Sequence, residues 1–456
     1  MIDLGEIGAV PALPPDRPRR RARSRVWTWW AAAAVLAVSF AVPAAGAPSV
    51  HLAQVWDVVA ATSRITVDGQ NLYTVTRPGR DTALTAYRLS DGTRRWRRAV
   101  GGVNTDTEVD AVRVHAIGGQ PFVTTGVCAD LSDAHTMLLD PGTGAERWER
   151  PGTLFGVAVG GATLLARVPR GRCTGADQPS GALPITVDAL GPDGTGVWSS
   201  PLPESAMLDT ENGPDGRVRH LLAATADGRV QVRDATTGRL VVDGNLGALG
   251  QPGPARAGAG GPDPLAALLS LGLVGNTLLV STVDNGLTEV AAYELGSLAQ
   301  RWLIHIGRNA GFDPTVDGLD CGPLLCLGYP TGVVAVDPAT GGTGWMLDLT
   351  VAAVSGRRLI GSDGGRTVRV VDGATGRTVV ALPGWQLVPT LGAPDGRVVV
   401  QRVGPRATTL GVFELGTGRL HPIGTVPGSV NGCQPTADGA VCTSGDTMVR
   451  GWRLRV

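Results

Sequence analysis

The sequence predicts an all-β protein, and specifically a β-propeller of four-stranded blades. Between Tyr87 and Pro422 one short phrase recurs eight times: an apolar strand, a polar stop, a Thr-Gly or Asp-Gly turn and a second strand. A spacing of 35 to 60 residues between copies suits one blade per repeat. The 66 Gly and 32 Pro residues separate many short strand-like runs and leave little room for long helices. The copies end at Trp96, Trp148, Trp198, Val242, Trp302, Trp345, Val380 and Pro422.

Four copies carry the phrase most clearly: DPGTGAERW (140–148), DATTGRLVV (234–242), DPATGGTGW (337–345) and DGATGRTVV (372–380). The turn glycine is expected to supply a positive φ. The recurrent tryptophan is expected to fill the wedge between adjacent blades, with its N–H bonded to a neighbouring carbonyl. A ligand stack is the alternative role, but it conflicts with one tryptophan per blade. The predicted structural residues are Trp96, Asp140, Gly144, Trp148, Trp198, Asp234, Gly238, Trp302, Asp337, Gly341, Trp345, Asp372 and Gly376.

The two ends of the propeller region predict how the ring closes. Val50–Val59 resembles a fourth strand without a predecessor, and Thr447–Val456 resembles a third strand without a following hairpin. Pairing them would complete one composite blade and remove an exposed sheet edge. Eight hairpins and this blade would make nine, but we expect one weak copy not to form a blade of its own. The prediction is therefore eight blades, within a range of seven to nine. The first repeat predicts strands over 64–68, 71–76, 84–89 and 94–99.

The N-terminal segment predicts export across a membrane. Six arginines between residues 17 and 25 precede an uncharged run over 26–42 that begins with a cluster of three tryptophans. Extended to residue 47, this run reaches the lower end of the length that spans a bilayer, and the arginines place the N-terminus inside. A cleaved signal near residues 42–44 is the alternative. The predicted parts are a cytoplasmic tail (1–25), a plasma-membrane signal-anchor (26–47) and an extracytoplasmic propeller (48–456).

Six cysteines fit an oxidising compartment. Cys321 with Cys326, and Cys433 with Cys442, fall where the first two strands of a blade turn back on each other, so disulfides are expected there. Cys128 and Cys173 are paired mainly by elimination and would join two blades. Metal binding is the rival interpretation, but no Cys-x-x-Cys spacing occurs and no histidine lies beside a cysteine.

The repeated Asp-Pro-x-Thr-Gly-x-x-x-Trp phrase resembles the repeat of pyrroloquinoline-quinone-like (PQQ-like) propellers. The resemblance covers roughly residues 50–456 and is most specific at 140–148 and 337–345. The family implies two functions. One branch consists of quinone-dependent dehydrogenases, and another consists of non-enzymatic scaffolds similar to the propeller lipoprotein of outer-membrane barrel assembly. A single anchor followed by a short-looped propeller resembles the second branch. WD-type propellers fit less well, since Trp56-Asp57 is the one Trp-Asp pair.

The sequence offers no catalytic, cofactor-binding or metal-ligating residue. All 40 basic residues are arginine, which excludes lysine-dependent phosphate loops and Schiff bases. Gly-x-Ser-x-Gly and Gly-x-Gly-x-x-Gly are absent, and six histidines are scattered without triad or ligand spacing. The adjacent cysteines that the quinone enzymes of the resembling family would imply are also missing. The acidic stretch over 104–110 could bind calcium but lacks an Asp/Asn-Gly loop, so a solvated loop is the preferred interpretation.

The expected function is therefore binding. We expect a non-catalytic, membrane-anchored propeller that serves as a scaffold for an envelope protein or polymer, with no cofactor. The alternatives are a PQQ-dependent oxidoreductase, or a hydrolase or lyase that uses the propeller funnel. A Gly/Pro-rich insertion over 244–264 is either a slack loop or a partner-binding arm. Nucleic acid is not expected as a partner, because the formal net charge is zero and no aromatic-basic patch occurs.

Overall fold

The computed structural model contains nine four-stranded antiparallel sheets that follow one another around a closed ring, as in a nine-bladed β-propeller. No α-helix occurs among the described residues, and so none of them forms a helix that could cross a membrane. The predicted tail (1–25) and anchor (26–47) lie outside the described residues. The structure describes residues 51–455 except 60–64, 77–81, 101–111, 126–133, 168–184, 204–205, 214–215, 226, 248–267, 285–286, 309–316, 330–331, 366, 389–395, 429, 437–438 and 445–447.

The chain enters the ring with β1 (His51–Val59) and then forms blades 1 to 9 in order. Blades 1 to 4 consist of β2 (Ile65–Asp68), β3 (Asn71–Thr76), β4 (Ala83–Arg88), β5 (Arg94–Ala99); β6 (Val112–Ile117), β7 (Gln120–Thr125), β8 (His135–Leu139), β9 (Glu146–Pro151); β10 (Thr153–Val157), β11 (Thr163–Arg167), β12 (Thr186–Leu190), β13 (Gly196–Pro201); β14 (Met207–Asn212), β15 (Val218–Ala224), β16 (Arg229–Asp234) and β17 (Leu240–Asn245).

Blades 5 to 8 continue the same order of four consecutive strands, and blade 9 takes its fourth strand from the start of the chain. These blades consist of β18 (Leu268–Val274), β19 (Thr277–Asp284), β20 (Leu287–Glu294), β21 (Gln300–Arg308); β22 (Asp317–Cys321), β23 (Leu324–Tyr329), β24 (Gly332–Val336), β25 (Thr343–Leu347); β26 (Thr350–Ser355), β27 (Arg358–Ser362), β28 (Thr367–Asp372), β29 (Thr378–Pro383); β30 (Gln386–Leu387), β31 (Arg397–Val403), β32 (Ala407–Glu414), β33 (Arg419–Pro427); and β34 (Val430–Thr436), β35 (Gly439–Ser444), β36 (Met448–Arg455) with β1.

The sequence predicts eight blades within a range of seven to nine, and the structure has nine, the upper end of that range. Each of the eight hairpins supplies the third and fourth strands of its own sheet, including the degenerate copies that end at Trp302 and Pro422. These copies still alternate apolar and polar residues, which is what a half-buried strand requires. The composite ninth blade is confirmed, because β1 pairs antiparallel with β36 from His51 opposite Arg455 onwards.

The hydrophobic core lies between the blades. The first strand of each blade is innermost, since β14 contacts β18, β18 contacts β22, and β34 contacts β2 across blade boundaries. Buried side chains of neighbouring sheets form shared clusters, such as the one that contains Leu222 of blade 4 and Leu278 of blade 5, each with no exposed surface. Continuous burial around the ring stabilises each blade through both of its neighbours.

Blades 9 and 1 meet at the seam, where the ring closes. The side chain of Gln434 bridges to the first strand of blade 1, accepting from the backbone N–H of Val67 at 2.7 Å and donating to the carbonyl of Ile65 at 2.9 Å. On the outer side, Trp56 Nε1 donates to the carbonyl of Leu89 at 2.8 Å. A half-buried amide that satisfies two backbone groups fixes the register of the two blades.

Candidate functional site

The turn aspartates singled out by the sequence are occupied within their own turns. In each of them one carboxylate oxygen accepts from the backbone N–H and hydroxyl of the threonine three residues later, at 2.7 to 3.1 Å. Such a bond network stabilises the turn that precedes the glycine. These side chains are therefore committed to blade geometry and form no shared site. They are Asp140, Asp234, Asp337 and Asp372.

The pKa of Asp140 is lowered to about 2, first by the hydrogen bond from Arg147 and then by those from Thr143. A carboxyl whose pKa is depressed on folding contributes stability above its unfolded pKa, and this contribution is lost as the pH falls toward the folded value. We therefore expect Asp140→Asn to be less stable than wild type at pH 6, with the difference shrinking between pH 5 and pH 2. Urea unfolding of both proteins across that range measures it. A difference that stays constant with pH would contradict this role of the charge.

The recurrent tryptophans lie beneath the turns of the following blades. The indole of Trp96 packs under Gly144, where an added Cβ would lie 2.5 Å from Trp96 Cδ2, and the indole N–H donates to the carbonyl of Pro141. The same contact of tryptophan with turn glycine recurs at the pairs Trp148 and Gly194, Trp198 and Gly238, Trp302 and Gly341, and Trp345 and Gly376. The indole hydrogen bonds span 2.8 to 3.1 Å, for Trp56, Trp96, Trp198, Trp302 and Trp345.

Two features of this ring of tryptophans are not among those predicted from the sequence. Trp56 on β1 serves blade 9 in the same way, since it packs under Gly92 of blade 1. Trp148 is covered by Gly194, but its buried Nε1 finds no hydrogen-bond partner among the described residues. Trp56 could have been recognised from the predicted fourth strand over 50–59, because it occupies the place of the other blade tryptophans.

The disulfides Cys321–Cys326 and Cys433–Cys442 are both present and join the first two strands of blades 6 and 9. The third predicted pair, Cys128 with Cys173, lies outside the described residues, as does the acidic stretch over 104–110. Most of the Gly/Pro-rich insertion also lies outside them. Among the described residues, no group of three or more His, Cys, Asp or Glu side chains is placed to hold a metal ion.

A cleft of about 340 Å³ lies at the seam, and we call it the seam cleft. Its walls are blade 9, with Trp56 and Arg453, and blade 1, with Gln70 in a turn, Arg88 at the end of β4 and Arg95 in β5. In blades 1 to 8 the third and fourth strands are joined by a turn, whereas in blade 9 these two strands come from opposite ends of the propeller region. The cleft therefore lies where residues from both ends of the propeller region meet.

The ionisable side chains that line the seam cleft are all arginines. Arg88 reaches Asp91 at 3.3 Å, and Arg453 donates to the carbonyl of Ser90 at 3.2 Å. Arg95 is half-buried, and its Nε is buried without a hydrogen-bond partner among the described residues. The pKa of the buried Tyr73 is raised, first by burial and then by Asp68, and the charge of Arg95 partly offsets this rise. The cleft can therefore bind an anion through guanidinium groups.

The positive charge of this cleft comes in part from two positions of the blade 1 hairpin that, as a pair, differ from those of other blades. Two positions matter, one residue and eight residues before the blade tryptophan or its equivalent. In blades 2, 5 and 8 the residue directly before the tryptophan or its equivalent is basic, and the residue eight positions before the tryptophan is acidic and pairs with the basic one. In blade 1 both positions are arginine. The pairs are Arg147 with Asp140 at 3.0 Å, Arg301 with Glu294 at 3.2 Å and His421 with Glu414 at 3.6 Å, against Arg95 and Arg88 in blade 1.

The pair His220 and Glu211 of blade 4 could suggest an acid–base site, but a structural role in the sheet explains it better. His220 Nδ1 lies 2.5 Å from Glu211 Oε2 in blade 4, and these residues are directly opposite each other on neighbouring strands. A hydrogen bond between side chains at such positions stabilises a sheet. Each partner is supplied by the same hairpin, and nothing brings them to the seam cleft.

No protein-family model matches the chain, and no curated protein matches it. Similar solved structures include BamB from Moraxella catarrhalis, at 14% identity with a TM-score of 0.42, covering 88% of this chain and 99% of that chain. A europium-containing methanol dehydrogenase is 11% identical with a TM-score of 0.37, covering 87% and 83%. The C-terminal WD40 domain of Sif2 is 8% identical with a TM-score of 0.44, covering 89% and 99%. Likenesses this distant assign neither a family nor a function, and the propeller architecture rests on the strand pairing itself.

Proposed function

We propose that this protein is a non-catalytic binding or assembly scaffold, a membrane-anchored propeller outside the cytoplasm that serves an envelope protein or polymer. The observation that carries the proposal is the chemistry of the seam cleft. Its ionisable lining consists of arginines, which stay protonated at any physiological pH and so cannot act as general acids or bases. Fixed cationic donors suit recognition of an anionic group. The turn carboxylates, engaged in hydrogen bonds and ion pairs, offer no free proton-transfer group.

The location is part of the same proposal. The arginine-rich segment and the uncharged run over 26–47 support a single-pass anchor with a cytoplasmic N-terminus. Two disulfides within the propeller support folding in an oxidising compartment. Nothing in the cleft favours the quinone-dependent oxidoreductase over the scaffold.

Photo-crosslinking in the cells that make the protein tests the proposal. Because the chain contains no lysine, amine-directed reagents are unsuitable, and a photoreactive amino acid is placed instead at two exposed turn positions, Ser90 beside the cleft and Ser297 in blade 5. We expect one identified envelope protein or polymer to be captured in stoichiometric amount. A variant lacking residues 1–47, which would stay inside the cell, should capture none. Absence of any envelope component from both positions of the full-length chain would contradict the proposal.

A further inference from the structure

In the seam cleft, Arg88 and Arg95 of blade 1 occupy the two positions at which blades 2 and 5 have an acidic residue paired with an arginine. Arg147 and Arg301 each form an ion pair with the acidic residue of their own hairpin. Arg95 stands at the same position, but the place of the acid is taken by Arg88, which turns to the exposed Asp91. Arg453 enters the cleft from the opposite wall. Three guanidinium groups line one concavity, and two of them already have a partner, Asp91 for Arg88 and the Ser90 carbonyl for Arg453. Arginine binds phosphate oxygens through forked pairs of hydrogen bonds.

The course of the chain indicates where such a phosphate would come from. Strand β1 begins at His51, four residues after the end of the proposed anchor, so the chain can span about 14 Å between them. His51 pairs with Arg455, at the end of the blade where third strands end and turns lie on the other blades. The seam cleft opens among the turn residues of blade 1 at this same end. If the proposed anchor holds, this end of blade 9 is the part of the propeller that follows the membrane segment most directly in sequence.

The cleft also has an apolar wall next to its cationic one. Val55 of β1 lines it with 40% of its surface exposed, and the buried rings of Trp56 and Trp452 lie beside it. A free inorganic phosphate would leave this wall unused. A phospholipid would place its headgroup on the arginines and its glycerol backbone against the apolar side.

We propose that the seam cleft binds the phosphate of an anionic phospholipid from the membrane that the chain enters. The inference rests on the proposed anchor and deepens the proposed function. The lipid phosphate is then the anionic group that the cleft of the proposed scaffold recognises.

The test uses the full-length chain in phosphatidylcholine vesicles that contain a photoreactive phosphatidylglycerol. Labelled residues are mapped by mass spectrometry, and labelling of the arginine-rich tail serves as the internal reference. We expect the seam peptides around β1 and β36 to be labelled in wild type. Arg88→Asp introduces the acidic residue that blades 2 and 5 have at this position, and it should lower this labelling about tenfold or more. Arg94→Asp is the matched control, since it makes the same charge change on an exposed residue of β5 outside the cleft, and should retain the labelling.

Three results would overturn the inference: no seam labelling in wild type, equal loss in both variants, or full displacement by inorganic phosphate at lipid-equivalent concentration. The last result would identify a free phosphate as the ligand. If seam labelling follows Arg88 but photo-crosslinking in cells captures no envelope component, the scaffold proposal fails and the lipid site stands. If a component is captured but the seam is not labelled, the lipid site alone fails.

Discussion

Replacing Gly144 by alanine is expected to destabilise the propeller by about 2 to 5 kcal/mol. Gly144 has a φ of +70°, a conformation that costs an L-residue about 1 to 2 kcal/mol. A Cβ there would also lie 2.5 Å from the Trp96 ring, and such overpacking adds about 1 to 3 kcal/mol. Urea unfolding followed by tryptophan fluorescence measures the loss.

Gly216→Ala separates the two causes. Gly216 has nearly the same φ, +72°, but an added Cβ there would meet nothing within 4 Å. It should lose only the conformational part, about 1 to 2 kcal/mol. Equal losses for the two variants would mean that the turn glycine is required for its backbone conformation alone, and that its contact with the tryptophan contributes nothing to joining the blades.

Replacing Val242 by tryptophan is the second change with a large expected effect. Val242 stands where other blades have the tryptophan, and the facing turn of blade 5 has Leu298 in place of the glycine, with a φ of +53°. Leu298 and Val242 pack against the same cluster of buried residues, so the larger turn residue fills the space that the smaller strand residue leaves. A tryptophan would compete with Leu298 for this space and should cost about 1 to 3 kcal/mol.

The double variant Val242→Trp with Leu298→Gly recreates the pair found between other blades, and it should recover most of the loss. A double-mutant cycle should therefore give a favourable coupling of about 1 to 3 kcal/mol. Val380→Trp is the control, because Val380 faces Gly418, which blade 8 has kept, and it should be tolerated better. If the two substitutions have additive effects, or if Val242→Trp and Val380→Trp lower the free energy of unfolding equally, Leu298 does not compensate for the smaller side chain of Val242.

Much of the fold follows from the sequence because its local signals agree with its global closure. The hairpin register predicted the third and fourth strands of the blades, and the predicted strands of blade 1 match the observed ones to within a residue. The number of blades was the weak point. The sequence suggests that one degenerate copy does not form a blade of its own, because its pattern is weak. Neighbouring sheets nevertheless complete the burial of such copies, since Trp302 and Ile306 belong to a buried cluster that includes residues of blade 6. Tertiary context of this kind is not visible in a single repeat.

The candidate site was not predicted, although part of its signal lies in the sequence. The phrase RLSDGTRRW was recognised as a looser copy, but the arginine at the position of the usual acid was not recognised as a reversal of charge. Aligning the repeats on their tryptophans reveals Arg88 and Arg95 at once. The cleft itself required the structure, because its walls come from opposite ends of the chain, with Trp56 and Trp452 almost 400 residues apart in sequence and adjacent in the seam cleft.

Thermal unfolding of the full-length protein in vesicles, with and without phosphatidylglycerol, tests the central claim most directly. Wild type, Arg88→Asp and Arg94→Asp should unfold within about 2 °C of one another in phosphatidylcholine alone, because surface charge changes alter stability little. Phosphatidylglycerol should raise the unfolding temperature of wild type and Arg94→Asp, as a ligand bound to the folded state does, and should leave Arg88→Asp unchanged. An equal rise in all three proteins would contradict a phosphate site in the seam cleft.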